Sequence, residues 1–93
     1  MAKILYGSDI EKKAVDKAIS LIRKYDLVGC SLIENRFRDI EAAHNLDAVF
    51  SMHDQLIGLF YGMSEAFKIA EREEDSDILW DAYNALLWAE DVE

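Results

Sequence analysis

Three residues of the second predicted helix have types and spacing that could hold a metal ion. In Glu41-Ala-Ala-His44 a carboxylate and an imidazole stand three positions apart, the spacing that brings both to one helix face, and Glu34 falls two turns earlier on the same side. Di-metal centres in helical bundles use that Glu-x-x-His pair, but they need a second copy and further inward-facing carboxylates. One copy is present, so Glu34, Glu41 and His44 are metal candidates only if a symmetric partner supplies the other. His44 and His53 both fall on apolar stripes, where a lone histidine is more often a hydrogen-bonded core residue than a ligand. Cys30, the single cysteine, is expected at a helix N-terminus, where a thiolate is stabilised. No base accompanies it, and it reads as a small packing residue. No serine or threonine nucleophile is paired with a base, and no Gly-rich loop follows a strand.

The acids are the second candidate chemistry. Nineteen acids against ten bases give a net charge of -9, which argues against a nucleic-acid backbone or an anionic membrane as the main partner. The excess is uneven. Residues 1–70 carry nine bases and ten acids, whereas residues 71–93 carry nine acids and only Arg72. Such a block is often a solvated, self-repelling stretch with no further task. Its companions suggest more: Trp80 and Trp88 are eight apart, on roughly similar faces of one helix, close to Asp77, Asp81, Glu90 and Asp91. Tryptophan is enriched among binding hot spots, and clustered carboxylates can meet a basic groove. Glu71, Glu73, Glu74, Asp75, Asp77 and Asp81, with Trp80 and Trp88 as anchors, are therefore the candidate partner-binding residues. The competing reading is that the indoles complete the core.

The stretch Glu74-Asp-Ser-Asp77-Ile-Leu-Trp-Asp-Ala-Tyr-Asn-Ala-Leu-Leu resembles the second acidic helix of the all-α nucleoside triphosphate pyrophosphatases of the MazG type, over about twenty residues. The resemblance implies that Glu74 and Asp77 are magnesium ligands, with an upstream Glu-x-x-Glu completing a site for the triphosphate. The chain departs from the pattern there: at the expected distance upstream stands His53-Asp54-Gln-Leu-Ile-Gly58-Leu, with at most one usable acid.

The reading these residues favour is a small, acidic, non-catalytic interaction protein without a cofactor. In character it resembles the inhibitors that phages and mobile elements deploy against nucleic-acid-binding host proteins, of the anti-CRISPR or nucleic-acid-mimic type, whose carboxylates occupy sites meant for phosphates. The pyrophosphatase is the alternative. A third reading is a self-assembling helical subunit using Gly58 and Gly62, one turn apart in a helix where each costs about 1 kcal/mol relative to alanine. Such glycines admit a close neighbour, within the monomer by preference or else across a homodimer.

The elements that must position these residues follow from apolar spacing. Ninety-three residues, 52% hydrophobic and without proline or linker, form one domain. Ser8 and Glu11 match a capping box that opens a helix from about Asp9 to Lys24, with Ile10, Ala14, Ala18, Leu21, Ile22 and Tyr25 inward. A second box at Ser31 and Glu34 opens a helix with the stripe Ile33, Phe37, Ile40 and His44, ending near Asn45. Asp47 can cap a long central helix to about Arg72, roughly 38 Å. Its seam is Val49, His53, Leu56, Phe60, Met63, Phe67 and Ala70; a second seam, Phe50, Ile57 and Tyr61, predicts contact on two sides. Glu73 to Ser76 is expected as a turn, followed by a last amphipathic helix to about Glu90 formed by Leu79, Tyr83 and Leu86 with Ile78, Ala82 and Leu87. The expected fold is thus all-α, a compact bundle of about four helices, with short extended segments at 2–6 and 27–32. The longest charge-free stretch, Gln55 to Ser64, is about half the length a membrane span needs. A lone cysteine and the lack of a signal-peptide pattern make cytoplasm the expected location.

Overall fold

In the computed structural model, which describes residues 3–25 and 30–92, the order is β1 (Lys3–Leu5), α1 (Asp9–Lys24), α2 (Cys30–Ala42), α3 (Leu46–Ile69), α4 (Glu73–Leu87) and β2 (Glu90–Val92). The fold is the expected all-α bundle with a long third helix. Helix α4 lies along both α3 and α1, and α2 leans on α3, with lighter contact to α1 and β1. The radius of gyration is 12.8 Å, near the roughly 12 Å of a compact chain of this length.

Helix α1 begins and ends where expected. Ser8 caps it, its hydroxyl oxygen accepting from the Ile10 amide, while that hydroxyl donates to the Glu11 carboxylate. This bond is the largest cause holding Glu11 below the usual carboxylate range. The buried face is Val15, Ala18, Leu21 and Ile22, and Ile10 is 78% exposed, so the stripe sits slightly around the helix from its expected line.

Helix α2 departs further. Ser31 lies inside the helix, so the expected cap at Ser31 and Glu34 does not form; Glu34 turns to Arg23 instead. The helix stops at Ala42, and Asn45 is the N-cap of α3, accepting from the Ala48 amide at 2.9 Å. An Asx side chain offers the free amides a better acceptor before the helix than Asp47 can from within its first turn. Of the extended segment expected at 27–32, residues 27–29 lie outside the described residues, and Cys30 to Leu32 are helical.

Helix α3 supplies the centre of the core through Val49, His53, Leu56, Phe60 and Ser64. Burying each large apolar side chain contributes about 1.5–3 kcal/mol. The α3–α4 crossing is held by two serines: Ser64 Oγ donates to the Ser76 carbonyl at 3.0 Å, and Ser76 Oγ donates to the Ser64 carbonyl at 2.8 Å. Both are buried, so their small size lets the helices approach while their hydroxyls remain satisfied.

The turn between them is shorter and earlier than expected. Ala70 ends α3, Glu71 takes the left-handed conformation at φ 61, and the Arg72 amide donates to the Phe67 carbonyl while the Glu71 amide donates to that of Lys68. This is a Schellman closure with glutamate where glycine is usual. Glu73 to Ser76 are therefore the first turn of α4, where acids face the favourable end of the helix dipole. Helix α4 ends at Leu87. The residues after it form β2, antiparallel to β1 with Lys3 opposite Val92, Ile4 opposite Asp91 and Leu5 opposite Glu90. Extension near the N-terminus was expected; its partner was not.

Candidate acidic and aromatic interface

The second apolar seam of α3 is only partly covered: Ile57 packs against the core and Tyr61 against rings of α4, and the rest stays open. Phe50 is 47% and Tyr61 45% exposed, and α4 adds Trp80 at 41% and Leu87 at 41%. Tyr61, Trp80 and Tyr83 pack as a ring cluster, with centroids 6.1 Å apart for Tyr61–Trp80, 5.3 Å for Tyr61–Tyr83 and 5.0 Å for Trp80–Tyr83. Tilted contacts at these distances hold the indole in place while leaving part of it open to a partner. Beside it lies a shallow cavity of about 370 Å³, lined by Ser64, Glu65, Lys68, Glu73, Ser76, Asp77 and Trp80. Among the described residues, Glu65, Glu73 and Asp77 form no ion pair within 4.0 Å. An indole beside free carboxylates suits a cation on a flexible stem.

The eight candidates divide among several places. At about 100° per residue, Glu73, Asp77 and Trp80 share the strip of α4 beside α3, while Glu74, Asp81 and Trp88 lie on the next strip round. Both strips are exposed. Trp88 is the C-cap, 80% exposed, and is not part of the ring cluster. Glu71 stands in the turn. Asp75 is engaged within the chain: it accepts from the Tyr25 hydroxyl at 2.9 Å and pairs with Arg72 at 3.5 Å, while Arg72 Nη2 donates to the Tyr25 oxygen at 2.8 Å. The hydrogen bond to Asp75 raises the Tyr25 phenol above its ordinary value. Asp75 thus ties the end of α1 to the α3–α4 turn.

The other candidates fare differently. His44 lies beyond the end of α2 and is exposed, so Glu41 and His44 do not share a helix face; Glu34 is paired with Arg23 at 2.5 Å and Arg38 at 4.0 Å. The Arg23 hydrogen bond and charge hold the Glu34 carboxyl below the usual range. Among the described residues no three His, Cys, Asp or Glu side chains are grouped to hold a metal ion. Glu74 and Asp77 are both exposed and lie in the first turns of α4. Cys30 is half-buried against the core, its Sγ 3.9 Å from Glu34 Oε1.

A larger groove, about 640 Å³, lies between β1, α1 and α2, with Ile4, Val15, Ile19 and Phe37 in its lining and Lys3, Lys12, Arg23, Arg38, Asp16, Glu34 and Glu41 among its charges. Burial, with Asp16 nearby, pushes the Tyr6 phenol on its wall up to about 12.

Two features were not foreseen. Gly58 and Gly62 were expected to admit a neighbouring helix, yet a Cβ built on either meets nothing within 4 Å among the described residues, so close packing within the monomer is not their role. The ring cluster was hidden because Tyr61, read as core, belongs to the seam that α4 covers only in part; its spacing from Phe50 was the available signal. Among the described residues no helix is long and apolar enough to cross a membrane. No protein-family model, curated protein or solved structure matches the chain.

Proposed function

We propose that the protein is a non-catalytic interaction protein whose α3–α4 face binds a basic surface of a nucleic-acid-binding protein. The observation that carries this reading is the cavity where Glu65, Glu73 and Asp77 lie without ion-pair partners among the described residues, beside the exposed indole of Trp80. Such a site takes a lysine or arginine side chain through charge and through the ring face. Glu71 adds support: it is a glutamate in a backbone conformation that favours glycine, which disfavours it unless its charge has another use. In this reading the carboxylates stand where phosphates would, as in phage or mobile-element inhibitors of the anti-CRISPR or mimic type, and the protein acts in the cytoplasm.

The test is capture from host lysate on the immobilised protein, followed by elution with salt and with duplex DNA. Basic nucleic-acid-binding proteins should be retained and released by both, and Glu73→Lys with Asp77→Lys should remove them while leaving helicity intact. Retention of the same proteins by that double variant would overturn the proposal.

A further inference from the structure

A histidine of α3 and an aspartate of β2 meet in the interior. His53 Nδ1 lies 2.8 Å from Asp91 Oδ1, and Nε2 lies 2.7 Å from the Leu86 carbonyl oxygen. Both side chains are 6% exposed. A carbonyl oxygen only accepts, so Nε2 must carry a hydrogen. A neutral ring with that hydrogen turns a lone pair at Nδ1 toward the Asp91 carboxylate. The other tautomer turns a lone pair toward the carbonyl. With Asp91 ionised, each leaves two acceptors in contact, whereas a doubly protonated ring donates at both ends. The surroundings favour the same state: Leu86 lies in the last turn of α4, at the negative end of the helix dipole and with no basic residue in that turn, where a cation from another element is stabilised; its carbonyl accepts from the Ala89 amide at 3.3 Å as well as from the ring.

We propose that the His53–Asp91 pair is a proton-dependent latch that fastens β2 to the bundle. A two-stranded ribbon is marginal without such an anchor, and β1, which supplies Lys3 and Ile4 to the groove against α1 and α2, pairs only with β2 among the described residues. The other charges near the latch are accounted for on each element. On α3, Asp54 follows His53 and is exposed. On α2, Arg36 donates to Gln55 and pairs with Asp39. On β2, Glu90 is exposed opposite Leu5, and on β1, Lys3 lies opposite Val92. Helix α4 turns the Leu86 carbonyl to the ring. No second cation lies within ion-pair distance of Asp91 among the described residues. As pH rises and the ring gives up its second proton, attraction becomes acceptor repulsion and β2 is released; acidification far enough to protonate Asp91 weakens the same pair from the other side.

The experiment is a pH titration of the full chain by NMR, reading the His53 ring nitrogens and the amide protection factors together. While the strands are formed, both ring nitrogens should report as protonated. As the ring deprotonates, protection of the paired amides in 3–5 and 90–92 should fall, with α3 and α4 unchanged. In Asp91→Asn the carboxamide can accept from a protonated Nδ1 or donate to a bare one, so strand protection should no longer follow His53. A singly protonated ring in the paired state, or wild-type strand protection that is flat through the His53 titration, would overturn the latch.

Discussion

The two concave regions of the molecule treat charge in opposite ways. In the groove between β1, α1 and α2, Glu34 is bracketed by Arg23 and Arg38, and the cations and acids of the lining are nearly balanced. On the α3–α4 face, Glu65, Glu73 and Asp77 outnumber Lys68 and stand beside exposed aromatic rings. A net charge of -9 does not distinguish these regions. The distinction lies in which acids are already answered within the chain: Asp75 and Glu34 fasten elements together, whereas Glu73 and Asp77 remain open to an outside cation.

The largest effect should come from the core beneath the two regions. Phe60, fully buried in α3, should lose about 3–5 kcal/mol of stability as alanine, and Ile40 in α2, on the groove side, about 2–5 kcal/mol, measured by denaturant unfolding. Since α2 is the more lightly attached helix, the Ile40 variant should fall at the lower end. An equal or larger loss at Ile40 would mean that the groove side is as rigidly built as the α3–α4 side.

Smaller effects bear on the faces themselves. Gly58→Ala and Gly62→Ala should each stabilise the monomer by about 1 kcal/mol, because helix propensity improves and nothing opposes the new methyl. Stabilisation accompanied by loss of partner binding or of a dimer would show that the bare backbone is itself a contact. The smallest effect is expected in the groove. Arg23→Ala should barely change stability, since the pair is largely exposed, but should bring the Glu34 carboxyl back toward its ordinary value. The sign follows from the lowered carboxyl: its contribution is present above the unfolded-state value and is lost as pH falls through the folded one. A carboxylate titration followed by NMR checks this.

Much of the bundle was legible because helices declare themselves through local spacing. Asp9 to Lys24 needed only the Ser8 cap and a 3.6-residue stripe. The errors arose where a residue's role depends on distant neighbours. Asn45 is acceptable both as a helix end and as the cap of the next helix, and Glu73 to Ser76 resemble a turn until the dipole of α4 is considered. The β1–β2 ribbon joins opposite ends of the chain, with too few residues in each strand for a period to show. In the candidate site, Trp80 and the acids were legible from composition, but the diversion of Asp75 to Tyr25 spans fifty positions. The partial exposure of Tyr61 required knowing that α4 covers the second seam only in part.

The most direct test compares equal charge changes on the two regions. Glu73→Lys with Asp77→Lys on the α3–α4 face, and Asp16→Lys with Glu41→Lys in the groove, alter the net charge by the same amount. Affinity for the captured basic protein, measured at one salt concentration, should fall about tenfold or more for the first pair and stay close to wild type for the second. Equal losses for both pairs would show that total charge, and not the acidic and aromatic face, governs binding.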